Sequence, residues 1–341
     1  MRKMAFSMAI LMLVMMFTGC GTSGQTTSSV SIASSAADTP ADEPITLVLG
    51  HTNAETDSRH AMVLKFAELV EEKTNGMVKI KCYGSGELGN GQEEIEGLGI
   101  GTQDILVEGY ALLGMYSEYG MDSFPYLYRD YDHFMKCWYD SDVGDMWIKY
   151  AADAGFTVFG PSYRGFRNVT SMKSFDNAAG VAGLKIRTPG SEPFVSTWSY
   201  LGAQATPMDL AEVITGLQQG TVEAQENPLI LSYNYGFADV CDYLIMTKHS
   251  CGADVFIMNT DRFNKLDPAY QTAILEAAEE AAKEISAANF EEEDSYIQKF
   301  ADKGVTVIEP DVDSFREAFK DFAAEKFPHM QEIAEKIAAV A

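Results

Sequence analysis

The chain has 341 residues, of which 50 are acidic and 25 basic, and its formal net charge is −25 at pH 7. A surface this acidic repels nucleic acid and anionic lipid, so neither is expected as a direct partner, and solubility is the simplest reason for the charge. The length is sufficient for two lobes with separate hydrophobic cores.

The first 19 residues have the layout of an export signal. Arg2 and Lys3 form a basic start, an apolar run rich in Met and Leu follows, and small residues precede Cys20. The apolar run is too short for a comfortable membrane span. The sequence F-T-G-C resembles the bacterial lipobox, with Phe17 where Leu is usual. We interpret residues 1–19 as a lipoprotein signal peptide and Cys20 as the lipidated first residue of the mature chain; an uncleaved anchor helix is the alternative.

Residues 20–44 are dominated by Ser, Thr, Ala and Gly. Such a segment has little apolar surface to bury, so it is predicted to be a flexible tether. As a random coil it would reach roughly 25–30 Å. The globular body is therefore expected to be extracytoplasmic, held by its lipid anchor at the outer face of the cell membrane, or periplasmic.

The body begins with alternating strands and helices. Residues 45–51 form a predicted strand, and Ser58 is predicted to cap a helix with apolar residues at helical spacing. A second strand covers 78–82, a second helix contains Ile95, and a third strand covers 104–107. This order is typical of a parallel or mixed sheet covered by helices.

The segment "GLKIRTPG" starts a second group of strands and helices. Arg187 ends its strand, and Ser191 opens the helix that follows. Asp209 and Glu212 have the spacing of an acidic capping box, and the next strand, "TVEAQEN", ends at Asn227. Arg187 and Asn227 thus lie at the carboxyl ends of strands, where open α/β sheets bind ligands.

The longest predicted helix begins at Asp267 and Pro268, and nothing interrupts its pattern before Gly304. At 1.5 Å per residue it would be about 54 Å long, which is longer than one lobe of this size is wide. We expect it to span two lobes. A strand over 305–310 and a helix from Ser314 follow.

The residues give no support for catalysis. Sequence motifs of serine hydrolases, nucleotide-binding loops and zinc proteases are absent, so no catalytic residue, metal or cofactor is expected, and an enzyme is not the favoured interpretation. The five histidines show no ligand spacing: His51, His60, His133, His249 and His329. Cys241 and Cys251 could form a disulfide, but buried free thiols are equally compatible with the sequence.

The arginines are few and follow strands. Arg164 and Arg167 lie in "SYRGFRNVTS", where the chain could cross between lobes, and Arg187 ends its own strand. A guanidinium stays charged when desolvated and grips a carboxylate with a planar fork, which suits recognition of an organic acid. A structural salt bridge to one of the many acidic residues is the alternative, and the residues alone leave both open.

The stretch "GLKIRTPGS…LGAQATPMDLAEVITGLQQGTVEAQENP" resembles the signature region of DctP-type solute-binding proteins of TRAP transporters. Similarity extends from "KIKCYGSGELG" to "TKHSCGADVFIMN" and the long helix. The resemblance implies an α/β, two-lobed fold like that of periplasmic binding proteins (class II, a clamshell), with the long helix across both lobes. Lobe I would comprise 45–163 and about 253–285, and lobe II 164–252 and about 286–341.

The same resemblance implies a ligand site. The hallmark carboxylate-binding arginine falls on Arg187, a second arginine on Arg167, and an orienting asparagine on Asn227. The opposite lobe would contribute the residues after its first and third strands, which are Thr52, Asn53 and Glu108. Two positions depart from the family pattern: Leu210 replaces a frequent aromatic residue and Gln92 a frequent arginine, which makes sugar acids bound through that arginine less expected.

The implied function is capture of a small organic acid by a monomer and its delivery to a TRAP permease in the membrane. Two alternatives remain open at this point. An extracytoplasmic enzyme acting on acidic sugars would present a base or nucleophile opposite Arg187. A sensory binding protein would bind the acid without transport.

Overall fold

The structure is a computed structural model, and it describes residues 43–341. The predicted signal peptide, the lipidation site Cys20 and nearly all of the tether lie outside the described residues. The described part is one compact unit.

The strands of the described part are β1 Ile45–Gly50, β2 Val78–Tyr83, β3 Ile105–Gly109, β4 Phe156–Tyr163, β5 Arg167–Ser171, β6 Lys185–Thr188, β7 Gln204–Pro207, β8 Ala224–Pro228, β9 Tyr243–Ser250, β10 Ala253–Asn259 and β11 Thr306–Ile308. The α-helices are α1 Ser58–Lys73, α2 Gly91–Ile100, α3 Tyr131–Tyr139, α4 Asp142–Asp153, α5 Glu192–Tyr200, α6 Val213–Gln218, α7 Leu229–Asn234, α8 Thr260–Asn264, α9 Pro268–Asp302, α10 Val312–Phe319, α11 Phe322–Lys326 and α12 Gln331–Ala339. In these residues, no helix has the length and apolar character that crossing a membrane requires.

The first sheet has the strand order β2-β1-β3-β10-β4. β1 pairs in parallel with β2 and β3, as the alternation of strands and helices predicts. β10 enters between β3 and β4 in antiparallel orientation. Helix α1 has Asp57 as its N-cap, because the Asp57 carboxylate accepts a hydrogen bond from the Arg59 amide; the prediction of Ser58 as the cap is wrong by one residue.

The second sheet has the order β11-β9-β5-β8-β6-β7. β6 lies parallel to β7 and β8, so Arg187 and Asn227 end neighbouring strands at one edge, as predicted. β5 runs antiparallel to β8 and places Arg167 beside Pro228 at the same edge. The capping box predicted at Asp209 is wrong: its side chain caps nothing, and a 3₁₀ turn over Leu210–Glu212 precedes α6.

The chain crosses between the two sheets through short segments. Residues 164–166 connect β4 to β5, and Cys251 and Gly252 connect β9 to β10. Gly252 cannot be replaced by a larger residue without rearrangement, because an added Cβ would lie 2.0 Å from the Ser123 hydroxyl. Segments this short are suited to a hinge role, since few backbone angles would have to change for one sheet to move against the other.

Helix α9 has 35 residues, which confirms the predicted long helix and its cap at Asp267. It contacts α1 and β4 of the first lobe and α7 and β11 of the second. The middle of α9 binds Tyr163, the last residue before the first crossover. Ser286 Oγ accepts from the Tyr163 amide at 2.9 Å, and Asn289 donates to the Tyr163 carbonyl at 2.8 Å. Glu293 accepts from the Tyr163 hydroxyl at 2.8 Å. The two lobes are therefore tied at this point.

The hydrophobic cores follow the sheets. The first sheet packs against α1 and α9 through a buried cluster that includes Leu47, Phe66, Val107, Phe256 and Ile274. Smaller clusters lie around Phe300 and Phe237 in the second lobe. A larger aromatic cluster runs from the second sheet through the C-terminal helices to Trp138, Trp147 and Tyr163. Cys241 and Cys251 are buried and unbonded, so the disulfide alternative is not supported.

The C-terminal helix lies against a helix of the segment predicted as lobe I. α12 lies beside α3, which is joined to the first sheet through the 2.6 Å bond from the Tyr139 hydroxyl to the Pro161 carbonyl. The His133 ring contacts the Ile337 carbonyl at 2.9 Å, and Arg129 donates to the Val340 carbonyl at 2.8 Å. The last turns of the segment predicted as lobe II therefore contact the segment predicted as lobe I, because polar side chains there bind the free carbonyls of that helix end. The lobe boundaries stay predictions.

Candidate ligand-binding cleft

A cavity of about 790 Å³ lies between the two sheets. Its lining comes from loops after β1 and β3, from the crossover after β4, and from the ends of β6 and β8. We call the side chains Thr52, Asn53, Arg59, Glu108, Arg164 and Asp254 the first wall, and Arg167, Arg187, Phe194, Met208 and Asn227 the second wall. A volume of this size accommodates a small organic molecule.

Arg187 is buried in the second wall, with only 4% of its surface exposed. Its Nε donates to the Met208 carbonyl at 2.8 Å. Across residues 43–341, no carboxylate lies within ion-pair distance of Arg187, and its two terminal Nη groups make no hydrogen bond to these residues. Burial lowers the pKa of Arg187 to about 10, so the guanidinium is still charged at neutral pH. A desolvated cation without a counter-ion is costly, and an incoming anion would offset that cost.

Arg167 is placed differently, because its charge is already compensated. Its guanidinium binds the buried carboxylate of Glu226 through two bonds, Nε to Oε2 at 2.5 Å and Nη2 to Oε1 at 2.9 Å. It also lies over the ring of Phe194 at 4.8 Å. Burial alone would raise the pKa of Glu226, but Arg167 and His249 outweigh burial and lower it to about 2. Glu226 is therefore an anion, and Arg167 faces the cavity as one half of an ion pair.

Asn227 connects Arg167 to the sheet. Its Oδ1 accepts from Arg167 Nη2 at 2.8 Å, and its Nδ2 donates to Gln225 Oε1 at 2.6 Å. Gln225 in turn donates to Thr170 and Ser232. This chain of bonds fixes the orientation of the Asn227 amide and leaves it one N–H for a ligand. His249 completes the cluster beneath the wall, with Nε2 at 3.1 Å from Glu226.

The first wall carries a denser ion-pair network. Arg59 binds Asp254 through Nε at 2.7 Å and Nη2 at 2.9 Å, and its Nη2 also lies 2.8 Å from Glu108. Arg164 joins Asp254 at 3.0 Å and Asp57 at 2.7 Å. Burial alone would raise the pKa of Glu108 and of Asp254, but the neighbouring arginines hold both below their ordinary values. Two arginines and two carboxylates of this wall therefore form one network, with a third carboxylate, Asp57, bound to Arg164 outside the cavity lining.

The structure brings the other predicted residues of the first lobe to the same wall. Thr52 donates to Glu108 Oε2 at 2.8 Å. Asn53 is buried and lines the cavity, and its Nδ2 has no hydrogen-bond partner in the described part of the chain. Gln92 and Leu210 lie at the mouth: Gln92 is exposed and donates to Glu96 on its own helix, and Leu210 is half-buried.

Sequence reasoning missed Arg59, Asp254 and Glu226. Glu226 precedes Asn227 in the segment "QEN". Its pairing with Arg167 depends on the antiparallel register of β5 and β8, which the sequence does not reveal. Arg59 and Asp254 are 195 residues apart, and no local pattern marks either. Arg164, which the sequence left open between ligand and salt bridge, is a salt-bridge residue.

Two α/β lobes around a polar cavity with a buried, uncompensated guanidinium define a solute-binding protein of the periplasmic kind. Residues 49–329 match the bacterial extracellular solute-binding protein family 7, the DctP family, and the chain belongs to it. The resemblance to TRAP solute-binding proteins found in the sequence is thereby confirmed.

Individual relatives cover most of the chain. The 2,3-diketo-L-gulonate-binding periplasmic protein YiaO of Escherichia coli K12 is 32% identical over 81% of this chain and 84% of its own. A TRAP solute-binding protein of Roseobacter denitrificans, solved with L-galactonate, is 28% identical with a TM-score of 0.82, over 88% of this chain and 100% of that one. A third, from Polaromonas sp. JS666 with D-erythronate, is 30% identical with a TM-score of 0.80, over 86% and 98%.

Proposed function

We propose that this protein captures a small organic acid outside the cytoplasm and delivers it to the membrane permease of a TRAP transporter. The carboxylate of the organic acid would bind the two Nη groups of Arg187, with Arg167 and Asn227 beside that carboxylate. The first wall would contact the rest of the solute. The ligands named for the three relatives, 2,3-diketo-L-gulonate, L-galactonate and D-erythronate, are organic acids and support this class.

The observation that carries the proposal is the missing counter-ion of Arg187. The other arginines of the cavity, the buried Arg59 and Arg164 and the half-buried Arg167, have carboxylate partners at 3.0 Å or less. Arg187 has only a backbone carbonyl in the part of the chain that is described. A bidentate, charge-assisted pair in a water-poor cleft contributes on the order of a few kcal/mol, so a solute carboxylate is the partner that this position lacks.

Binding would be coupled to closure of the lobes. Contacts already join the two sides of the mouth: the Tyr235 hydroxyl donates to the Thr52 carbonyl at 3.3 Å, and Asn90 to Asp209 at 3.4 Å. Both are long, and hydrogen bonds at such distances contribute little. A solute that binds both walls would favour the closed arrangement through its differential affinity for it.

The permease is proposed as partner because the chain belongs to a family of TRAP solute-binding proteins. A lipid at Cys20 would hold the protein at the same membrane and raise its effective concentration at the permease. Membrane fractionation of a Cys20→Ala variant tests the anchor, since a released protein is expected and a retained one would point to an uncleaved helix.

The carboxylate clamp is tested with a thermal-shift screen over dicarboxylates, keto acids, aromatic acids and uronates, followed by calorimetry of the acids that stabilise the protein. Arg187→Ala should weaken binding at least about 100-fold, because a charge-assisted pair of about 3 kcal/mol is lost. Arg316→Ala, which removes an exposed arginine on α10, is the matched control and should leave affinity unchanged. Undiminished affinity in Arg187→Ala would falsify the clamp.

A further inference from the structure

A carboxyl group is buried beside the crossover between β9 and β10. Asp122 has no exposed surface. Its Oδ2 accepts a hydrogen bond from the Ala253 amide at 2.5 Å, and its Oδ1 accepts from the Ser123 hydroxyl at 3.1 Å. Ser123 and Ala253 line the cavity together with Gly252, and we call these three residues the floor. Asp122 is therefore bonded to the floor by two neutral donors.

No cation neutralises Asp122 in the described part of the chain. Arg59 and Arg164 bind other carboxylates, and no lysine, arginine or histidine of residues 43–341 lies within ion-pair distance of Asp122. The titratable groups that face it are Asp254 on β10, Tyr110 after β3, Tyr128 on its own segment and Cys251 at the crossover. An ionised carboxylate in such surroundings is unfavourable, whereas a protonated one is tolerated.

Asp122 is fixed directly behind the floor. A Cβ added to Gly252 would lie 3.1 Å from Oδ1 and 3.2 Å from Oδ2 of Asp122, so the missing side chain at Gly252 permits this position. The segment that carries Asp122 is bonded to β9 as well, because Ser250 Oγ donates to the Ser123 carbonyl at 2.7 Å. A charge in the cavity would thus act on Asp122 across one layer of protein, where electrostatic interactions are stronger than in water.

We infer that Asp122 is a proton-binding site coupled to the solute, and that its carboxyl group takes up a proton from the solvent when an organic acid enters the cavity. The inference rests on the proposed function, because the negative charge that drives the uptake is the carboxylate held by Arg187. Solute anion and proton then enter together, so binding adds less than one full negative charge to a protein that is already strongly acidic.

The pKa of Asp122 places the site close to neutral pH. Burial raises this pKa to about 7, although the bonds from Ala253 and Ser123 act in the opposite direction. A solute carboxylate would raise the pKa further, because a nearby like charge favours the neutral form. Just above pH 7 most molecules without solute would carry an ionised Asp122, and most complexes a protonated one.

Other groups are less suited to this uptake. Burial raises the pKa of Glu94 to about 8, so this carboxyl group is largely protonated before the solute arrives. Burial also raises the pKa of Glu293 at the first crossover, but Lys248 acts in the opposite direction there. Burial lowers the pKa of His249, which stays neutral. The carboxyl group of the solute is ionised at neutral pH and takes up no proton.

Calorimetry in buffers of different ionisation enthalpy measures the uptake. The probe is the acid that stabilises the protein most in the thermal-shift screen, to which L-galactonate and D-erythronate are added. The full-length protein is titrated at pH 7.5 in HEPES and in Tris, and the observed enthalpy is compared with the ionisation enthalpy of each buffer. We expect an uptake of about half a proton per solute, and a Kd about fivefold larger at pH 8.5 than at pH 6.

Asp122→Asn tests the assigned residue. Asparagine has the shape of the protonated carboxyl group: its oxygen can accept from the Ala253 amide, and its amide can donate to the Ser123 hydroxyl. The variant should lose the proton uptake and the pH dependence of Kd. Asp132→Asn removes an exposed carboxylate from α3 and is the matched control, which should keep both. Glu94→Gln should keep most of the uptake.

The possible failures are distinguishable. Binding that is lost in Arg187→Ala but takes up no proton in the wild type overturns the inference and leaves the carboxylate clamp intact. This wild-type measurement decides the coupling even should Asp122→Asn fail to fold. Uptake that persists in Asp122→Asn, or that disappears in Glu94→Gln, overturns the role of Asp122. Absence of binding by every acid, or binding that is independent of Arg187, overturns the proposed function and this inference with it.

Discussion

The two walls of the cleft use the same residue type for different purposes. In the first wall Arg59 and Arg164 each bind two carboxylates, and their network holds α1, β10 and the crossover after β4 together. In the second wall Arg187 is equally buried but has only the Met208 carbonyl within the described chain. A paired buried charge is part of the folded structure, whereas an uncompensated one is a cost that a ligand can remove. Burial alone therefore does not mark an arginine as a candidate for ligand binding; the absence of a counter-ion among residues 43–341 does.

The largest expected effect is a difference in folding stability between variants of Arg59 and Arg187. Arg59→Met leaves Glu108 and Asp254 buried without their main counter-ion, so the apo protein should lose about 3–5 kcal/mol of unfolding free energy. Arg187→Met removes an uncompensated cation together with one hydrogen bond, and the change should stay within about 1 kcal/mol. Urea unfolding monitored by tryptophan fluorescence measures both.

Lys149→Met is the background control for this comparison, because its ion pair with Asp153 is exposed and screened by solvent and should contribute little to stability. A loss in Arg187→Met as large as that in Arg59→Met would mean that Arg187 is structural, and the contrast between the walls would disappear.

The next expected effect is a loss of folding stability at acidic pH. The pKa of Glu226 is about 2 in the folded protein against an ordinary value of 4.5. Because the folded value is the lower one, the stabilisation is complete above pH 4.5 and is lost as the pH falls towards 2. A shift of this size corresponds to about 3 kcal/mol.

Between pH 5 and pH 2 the wild type should therefore lose about 3 kcal/mol more than Glu226→Gln, measured by urea unfolding at each pH. Glu108 and Asp254 have lowered pKa values as well, so both proteins keep an acid transition from the first wall. Identical acid limbs in the wild type and Glu226→Gln would show that the second-wall pair contributes no stability.

The smallest effect compares the mouth with the interior of the first wall. Gln92 is exposed and bonded to Glu96, so Gln92→Ala should change the affinity for the cognate acid by no more than about threefold, or ~0.6 kcal/mol. Asn53 is buried with a free donor, and Asn53→Ala should weaken binding about tenfold. If calorimetry shows a larger loss of affinity in Gln92→Ala than in Asn53→Ala, the solute contacts lie at the mouth and not in the interior of the first wall.

Local patterns predicted the elements well where they depend on nearby residues. The β1–α1–β2–α2–β3 order, the long helix with its Asp267 cap, and the positions of Arg187 and Asn227 at strand ends all follow from periodicity, caps and turns. The errors were local as well. Asp57 and not Ser58 caps α1, because neighbouring polar residues compete for one cap and the surrounding fold selects among them. At Asp209 the chain forms a 3₁₀ turn in place of the predicted capping box.

The sequence by itself determined the lobed α/β class, the family, and which arginine to suspect, because these are encoded in patterns along the chain. Only the tertiary structure decided which arginines are free. Arg59 meets Asp254 across 195 positions, and Arg167 meets Glu226 across 59. In a chain with 50 acidic residues, every arginine has possible partners, and only the three-dimensional distances distinguish a neutralised guanidinium from one that has no carboxylate partner in the described part of the chain.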